Sequence, residues 1–407
     1  MHHQVPPSPD PRRAGQALAV SSCVHCGFCL PACPTYKVLG EEMDSPRGRI
    51  VLMKEVLEGA LPLAEAAPHL ERCLGCLACE TACPSGVRYR DLIEPMREPL
   101  VAARPAVARL RLAVLLRVMS SPALFRLAAS LGAGARAMAP LLPDEMNAAL
   151  ALLPASLPPP TAMPPLTPAR GARRGRVALM TGCVQSVLRP SITEAACAVL
   201  AANGVEVVVP EAQGCCGALA LHSGAERQGR AQAQAHAARF PTDVDAVLTT
   251  AAGCGSSMKH THAAGASVLD VHEYLDALGL TAPLAMPAAA RVAYQDACHL
   301  AHAQQVTTAP RRLLQQVEGV TLVPIAEPGL CCGSAGLYNL EQPAIAAALG
   351  RRKAAAVVAA GATVLTSANI GCLTQLEGAL AAQDTPVAAL HTVELLALAL
   401  PRRPARR

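Results

Sequence analysis

The sequence predicts a mixed α+β protein, in which a small helical N-terminal domain is followed by two copies of an α/β module. Two dense runs of cysteine lie within residues 1–96. From about residue 175 onward, a second cysteine pattern built around Cys-Cys-Gly occurs twice. In that repeated part, short β-branched runs alternate with longer Ala-rich runs, which is typical of strands and helices in a largely parallel sheet.

Composition narrows the class of protein. The chain has 407 residues, enough for two or three domains, and 52% of them are hydrophobic, so a sizeable core is available. It has no Trp, three Phe and five Tyr. This argues against single-stranded nucleic-acid binding, which relies on aromatic side chains that stack on bases. The net charge of +5 is mild and indicates no nucleic-acid surface.

Cysteine is the informative residue type, with seventeen in the chain. The number is odd, and the opening residues MHHQVPPSPD contain no charged segment followed by an apolar one, so we expect no secretory signal. A disulfide scaffold is therefore disfavoured, and thiolates bound to metal in a reducing compartment are favoured. We expect the protein in the cytoplasm.

Four regions are expected from composition: residues 1–96, 97–174, 175–285 and 286–400. The second begins with apolar residues interleaved with arginine (Arg97, Arg104, Arg109, Arg111, Arg117, Arg126 and Arg136) and ends in a stiff Pro-rich linker. The basic stretch could lie on a membrane surface, but we favour a helical pair packed on the protein or a partner. Residues 354–376 lack any charge, and we predict a buried strand flanked by a helix there.

The first cysteine run is CVHCGFCLPACP, and RCLGCLACETACP repeats its spacing. Both fit C-x2-C-x2-C-x3-C-P, the bacterial ferredoxin pattern, in which the fourth cysteine reaches the other cluster. The pattern predicts one [4Fe–4S] cluster on Cys23, Cys26, Cys29 and Cys83, and a second on Cys73, Cys76, Cys79 and Cys33. Structural zinc is the alternative, but the fourth cysteine with its proline has no role in a zinc ribbon.

The C-terminal repeat contains a candidate metal site in each copy. The predicted sites are Cys183, Cys215, Cys216 and Cys254 in the first module, and Cys298, Cys331, Cys332 and Cys372 in the second. Corresponding cysteines are 115, 116 and 118 positions apart, which indicates a duplication. Each follows a predicted strand, and ligand sites form at the carboxyl ends of parallel strands. The four thiols suit a soft metal, although buried cysteines that serve only for packing are the alternative.

Three histidines lie near these cysteines: His25, His299 and His302. The thiols beside His25 already suffice as ligands, so we expect it to act as a spacer or a hydrogen-bonding residue. For His299 and His302 we likewise expect hydrogen bonds rather than metal ligation.

These motifs together resemble the iron–sulfur subunit of bacterial glycolate oxidases (glycolate dehydrogenases) over nearly the whole chain. The similar segments are the two ferredoxin-type runs, the run from Ser45 to Arg49, and GCVQSVLRPSI, QGCCGA, AAGCG, CCGSAG and TSANIGC. The resemblance implies a multi-subunit oxidoreductase in which flavin-binding partners oxidise glycolate to glyoxylate. This subunit would carry the electrons onward, toward an acceptor such as quinone, with peripheral association at the cytoplasmic membrane.

The Cys-Cys-Gly modules also resemble those of heterodisulfide reductases, which bind a non-cubane cluster through five cysteines. Ala251 and Asn369 stand where a fifth cysteine would be, so each module has four of the five. An additional cluster, or a fold kept only for docking, are the open readings.

Three functions follow. The favoured one is an electron-transfer subunit of a 2-hydroxyacid dehydrogenase with no catalytic residue of its own. The second is a disulfide-reductase-like enzyme, and the third is the iron–sulfur subunit of a D-lactate or glycerol 3-phosphate dehydrogenase. No G-x-G-x-x-G fingerprint follows a predicted strand, so FAD is expected only in partner subunits.

Overall fold

The computed structural model describes residues 5, 8–136, 144–261, 266–383 and 385–401. Its N-terminal part is helical. The helices are α1 Pro11–Ser21, α2 Pro34–Leu39, α3 Pro46–Leu57, α4 Leu63–Glu71, α5 Ala78–Thr81 and α6 Arg90–Ala103, with a 3₁₀ turn at Glu42–Asp44. Their core contains Met53, Leu70 and Leu92, all 1% exposed or less. The loops between these helices hold seven of the eight cysteines of the two ferredoxin-type runs, and Cys79 lies in α5.

A tight corner precedes α3. The Ser45 hydroxyl accepts a hydrogen bond from the Gly48 amide at 3.0 Å, and Pro46 occupies the first turn, where a missing amide costs nothing. A Cβ on Gly48 would lie 2.0 Å from the Glu42 carbonyl oxygen, so only glycine fits there. The Ser-Pro-Arg-Gly-Arg run is therefore a structural requirement of this corner.

Three further helices follow: α7 Ala106–Met119, α8 Pro122–Ala135 and α9 Asp144–Ala151. Leu112, Leu116 and Phe125 face inward and are buried. Within the described residues no single helix is both long and apolar enough to cross a membrane. Helices α7 and α8 together have the length and composition of a span, but they meet at a bend of 105°. Residues 154–165 then run without helix or strand, as the proline content predicts.

The first α/β module contains a five-stranded sheet in the order β1-β3-β2-β4-β5. Its strands are β1 Leu166–Thr167, β2 Gly175–Leu179, β3 Val205–Val208, β4 Ala246–Thr249 and β5 Ser267–Asp270. All pairings are parallel except that of the short edge strand β1. The helices are α10 Gln185–Leu188, α11 Ser191–Ala202, α12 Ala218–His222, α13 Glu226–Ala237, α14 Ala252–Thr261 and α15 Val271–Leu278.

The second module repeats this plan with four parallel strands in the order β7-β6-β8-β9. The strands are β6 Ala285–Gln295, β7 Glu318–Val323, β8 Val364–Ser367 and β9 Ala388–His391. A π-helical turn at His299–Ala303 precedes α16 Ala309–Gln315, α17 Tyr338–Glu341, α18 Pro343–Ala359, α19 Ile370–Ala381 and α20 Thr392–Leu398. The predicted fold class is confirmed, and the uncharged stretch 354–376 contains β8 between two helices.

The two modules share one hydrophobic core. Buried side chains from both modules, such as Val177 of β2, Leu200 of α11 and Val292 of β6, belong to the same cluster. At matching positions, Asp270 is the N-cap residue of α15 and His391 is that of α20, and each forms a reciprocal capping box. The His272 and His391 rings stack with centroids 5.7 Å apart. The duplication therefore brings the ends of the two sheets together.

The glycine of each Cys-Cys-Gly motif has a backbone role. Gly217 has φ +80° and Gly333 has φ +93°, in the region that favours glycine. A Cβ on Gly217 would lie 2.2 Å from the Gly229 carbonyl oxygen, and one on Gly333 would lie 2.6 Å from that of Ala346. Each motif is therefore pressed against a helix, α13 or α18, and this contact turns the chain after its paired cysteines.

We predict that Gly333→Ala lowers the free energy of unfolding by about 2–5 kcal/mol. Left-handed backbone costs about 1–2 kcal/mol without glycine, and overpacking adds about 1–3 kcal/mol. The matched control is Gly361→Ala, since Gly361 also has positive φ but a Cβ there would approach only Arg291, at 3.4 Å. Anaerobic urea unfolding followed by circular dichroism measures both. Equal losses in the two variants would contradict the helix contact.

Candidate functional site

The first ferredoxin-type loop wraps around a small cavity. Cys23, Cys26, Cys29 and Cys83 all line it. The loop is held open by positive φ at His25 and Gly27, and Arg47 donates a hydrogen bond to the His25 carbonyl at 3.2 Å. Burial, with the neighbouring thiols adding, raises the pKa of Cys29 to about 11. The four thiols predicted to share a cluster are thus brought together, and His25 acts as a spacer.

The second group consists of Cys33, Cys73, Cys76 and Cys79. Burial raises the pKa of Cys76 and of Cys79 well above the usual value, with the neighbouring thiols, Cys33 and Cys73 among them, adding to the effect. Because four thiols cannot all ionise in an apolar site without a compensating cation, such a group is suited to a metal centre.

Three donors surround the sulfurs of this second group. The Tyr89 hydroxyl donates to Cys73 Sγ at 3.7 Å, and the Gly75 amide donates to the same atom at 3.4 Å. The Arg49 guanidinium donates to Cys33 Sγ at 3.9 Å. The Arg49 side chain is 1% exposed and pairs with Asp44 at 3.2 Å. Donors to cluster sulfurs are one of the means by which a protein sets a reduction potential.

The first module brings its four predicted cysteines together beyond the carboxyl ends of β2, β3 and β4. Cys183 donates to Cys215 Sγ at 3.8 Å. Hydrogen bonds from the Cys183 and Cys216 thiols lower the pKa of Cys215. Cys254, in α14, acts on the pKa of both Cys183 and Cys216. One thiolate stabilised by neighbouring thiols is a suitable first ligand for a metal.

The second module repeats the arrangement with deeper burial. Cys331 donates to Cys298 Sγ at 3.9 Å, and Cys332 and Cys372 interact directly. All four thiols of this module are buried. The amide of Asn369 donates to Cys372 Sγ at 3.4 Å, so this residue supports a thiol where a fifth cysteine would stand.

The second ferredoxin-type group and the second module form one continuous site. Cys76 lies close enough to Cys298 and Cys331 for the thiols to shift one another's pKa upward. The Nε2 atom of His299 lies 3.1 Å from the Gly75 carbonyl oxygen, and Nδ1 of His302 lies 2.8 Å from the Thr81 hydroxyl. The hydrogen-bonding role expected for these two histidines is confirmed, and both join the module to the 73–83 segment.

The residues fit iron–sulfur clusters. All seventeen cysteines lie in the described part of the chain, and none forms a disulfide there. Within the described ranges no group of three or more His, Cys, Asp or Glu side chains is spaced to hold a single metal ion. In a cubane, each thiolate binds a different iron, so thiols in loose groups of four match it better than zinc. Cys197, 4% exposed in α11, belongs only to the shared core.

Sequence reasoning missed two residues that act on the sulfurs. Arg49 belongs to the Ser-Pro-Arg-Gly-Arg run, which was recognised but given no role. Tyr89 follows the second cysteine run by six residues, and nothing in its surroundings singles it out. The role of Tyr89 is visible only in the structure, because the turn after Cys83 brings its side chain back to Cys73.

We predict that Tyr89→Phe makes the reduction potential of the centre at Cys73 more negative by about 20–60 mV. A lost hydrogen bond of about 0.5–1.5 kcal/mol converts at about 59 mV per 1.4 kcal/mol for one electron. The control is Tyr338→Phe, because the Tyr338 hydroxyl donates instead to the Arg72 carbonyl at 2.8 Å. Redox titration monitored by EPR gives both potentials. A larger shift in the control would exclude this role for Tyr89.

Two families match the chain. Residues 19–87 match the 4Fe-4S dicluster domain, and residues 177–259 and 292–377 each match the Cysteine-rich domain. The chain therefore binds two [4Fe–4S] clusters through its N-terminal part and contains two cysteine-rich repeats with thiol groups for further centres.

Similar proteins extend the comparison. The glycolate oxidase iron-sulfur subunit of Escherichia coli K12 is 36% identical over 90% of this chain and 93% of its own length. The probable glycolate oxidase iron-sulfur subunit of Bacillus subtilis 168 is 33% identical over 92% of this chain and 93% of its own length. Lactate utilization protein A of an Exiguobacterium species is 27% identical over 54% of this chain and 96% of its own. Similarity over nearly the full length of both chains places this protein in the glycolate oxidase iron–sulfur subunit family.

Proposed function

We propose that this iron–sulfur electron-transfer subunit serves a complex that oxidises glycolate to glyoxylate on flavin-binding partner subunits. The names of the two relatives that match over nearly their full length support glycolate as the substrate of the complex. The sequence offers no dinucleotide fingerprint of its own, which supports a flavin on a partner.

One observation carries the electron-transfer proposal: the thiol groups lie in a continuous row. The cavity of the first ferredoxin-type group is lined by Cys79 of the second, and Cys76 of the second adjoins Cys331. When bound, iron–sulfur clusters supply one-electron redox chemistry over a wide range of potentials. The chain itself contributes their positions, the burial that excludes water, and the hydrogen bonds to sulfur.

Ligand assignments are part of the proposal. We assign one cubane to Cys23, Cys26, Cys29 and Cys83, and the other to Cys33, Cys73, Cys76 and Cys79. The grouping of thiols around two separate centres supports this. The module thiols Cys183, Cys215, Cys216 and Cys254, and Cys298, Cys331, Cys332 and Cys372, are assigned to additional iron–sulfur centres, since each set of four converges at the strand ends.

We propose that the electron acceptor is a quinone and that the protein acts at the inner face of the cytoplasmic membrane. Helix α7 supports peripheral association. Val107 and Leu110 are exposed by 80% and 65%, with Arg109 and Arg117 exposed on the same helix. An exposed apolar and basic helix suits an anionic lipid surface.

A lactate-oxidising complex is the second candidate, because Lactate utilization protein A is also similar over 54% of this chain. A disulfide-reducing enzyme is less well supported. Ala251 and Asn369 leave each module with four thiols, and Asn369 is already committed to a hydrogen bond with Cys372.

Cys76→Ser is expected to remove about four iron atoms per chain, the content of one cubane, and to uncouple substrate oxidation from the acceptor. Cys197→Ser is the matched control, because the Cys197 thiol lies outside all four groups. Iron analysis and the EPR signal of dithionite-reduced protein measure the loss. Full iron content in Cys76→Ser would refute the assignment, and Cys332→Ser applies the same measurement to the second module.

Glycolate added to the anaerobic native complex should reduce the cubanes, which would give the EPR signals of reduced [4Fe–4S] clusters. Lactate and glycerol 3-phosphate at equal concentration serve as comparisons. A different result would be that dithionite and lactate reduce the clusters but glycolate does not. The electron-transfer role would then stand, and the second candidate would replace the glycolate assignment.

A further inference from the structure

A cavity of about 470 Å³ lies between the thiol groups of the two modules and the helices α6 to α9. Its volume falls within the range of roughly 300–1,000 Å³ that is typical of sites for small organic ligands. Cys183 and Cys215 of the first module and Cys298 of the second line one end. The cavity is therefore the place where both module thiol groups face a common space.

Two histidines present polar atoms at this end. The rings of His222 and His299 meet edge to face with centroids 4.9 Å apart, and both line the cavity. Among the described residues, neither Nε2 of His222 nor Nδ1 of His299 has a hydrogen-bond partner. Buried polar atoms usually have partners, so two unpartnered ring nitrogens beside a cavity indicate a ligand that carries hydrogen-bonding oxygens.

The opposite end is apolar. It is lined by Leu115 and Met119 of α7, Phe125 and Ala129 of α8, and Leu150 of α9. Helices α7 and α8 also carry Leu110, Leu127 and Leu131 on their outer side, where these side chains are 65%, 59% and 68% exposed. The cavity is thus polar beside the thiols and apolar beside α7, the helix that we assign to the membrane surface, and α8.

The charges around the cavity disfavour a small anion. Arg97 and Arg104 both line it, but Arg97 donates to the Cys73 carbonyl at 3.1 Å. Arg104 bridges Glu71 and Glu341 at 2.9 and 2.8 Å. Arg104 is thus neutralised, and three carboxylates, those of Glu71, Glu94 and Glu341, line the cavity against these two guanidinium groups, so its charge does not favour a carboxylate substrate.

We infer that this cavity is the quinone site, with the ring beside the His222–His299 pair, on the helix side of the proposed module centres, and the isoprenoid tail along α7 and α8. The inference rests on the proposed function, since reduced flavin of the partner dehydrogenase supplies the electrons through the chain's iron–sulfur centres. The quinone takes up two electrons and two protons from water, and both carbonyl C=O bonds become C–OH. Nε2 of His222 is positioned to donate to a quinone oxygen, whereas Nδ1 of His299 can only accept, because its Nε2 donates to the Gly75 carbonyl, and so would hold a hydroxyl of the quinol.

Gly253→Leu tests the site. A Cβ on Gly253 would meet only His299 Nδ1, at 3.9 Å, so a leucine there fills the polar end without a backbone clash. The probe is decyl-ubiquinone, with the native complex in detergent. The variant should raise both its KM and its dissociation constant in equilibrium dialysis at least ~tenfold, the effect of about 1.4 kcal/mol. Gly134→Leu is the control, because a Cβ at Gly134 would meet nothing within 4 Å.

His222→Phe keeps the ring and removes the nitrogen, so it should raise the dissociation constant of decyl-ubiquinone while leaving that of a tail-only alkane probe unchanged. In every variant, iron content and the EPR signal of dithionite-reduced clusters confirm that the centres are intact. Unchanged decyl-ubiquinone binding in both Gly253→Leu and His222→Phe would overturn the inference.

The outcomes separate this inference from the proposed function. If glycolate fails to reduce the clusters but decyl-ubiquinone binds with the predicted sensitivity to Gly253→Leu, the site stands and the substrate assignment fails. If glycolate reduces the clusters but decyl-ubiquinone binds nowhere in the complex, the carrier role stands and the quinone site is refuted.

Discussion

The packing of the 73–83 segment against the second module is the contact on which the rest of the arrangement depends. Leu74 and Cys76 share a buried cluster with Cys298, Cys331 and Tyr338. Three polar contacts cross the same boundary, from His299, His302 and Tyr338. Because Cys83 lies in the first thiol group and Cys33 in the second, the two N-terminal groups are joined, and one contact positions both of them relative to the modules.

The two modules have the same fold but different surroundings. The thiols of the second are buried beneath the N-terminal domain, whereas Cys183 and Cys254 of the first are only partly buried. The second also has a buried cation, Lys353, which donates to the Pro328 carbonyl at 3.4 Å, and burial lowers its pKa to about 8. Duplication thus gave two similar sites, and docking of the N-terminal domain made them unequal.

Much of the fold could be predicted because its signals are local. Cysteine spacing determines which thiols are near one another within a loop, and the alternation of β-branched and Ala-rich runs gives parallel strands. The nearly constant offset between the repeats revealed the duplication. Helix α9 and the shared core of the two modules were not predicted, since neither has a signal in a single segment.

The site was predictable only in part, for the same reason. The sequence grouped the eight module thiols by their strand ends, and the structure brings each four together, but the closeness of Cys76 to Cys331 depends on how two domains dock. His222 had no distinguishing neighbour in sequence. It gains a role only when α12 of the first module and the π-helical turn of the second bring it to His299. Contacts between separately folding units leave no periodic trace in the sequence.

The placement of the arginines shows how a basic, apolar segment can serve two environments at once. The side chains of Arg97 and Arg104 point inward. Arg97 donates to the Cys73 carbonyl, and Arg104 forms ion pairs with Glu71 and Glu341. Arg109 and Arg117, further along, stay exposed beside apolar side chains. The inner pairs fix the helices over the thiol groups, and the outer ones remain available to an anionic surface. The helical pair packed on the protein, one alternative from sequence, is therefore seen on the inner face, and the membrane-facing alternative stays a proposal that rests on the outer face.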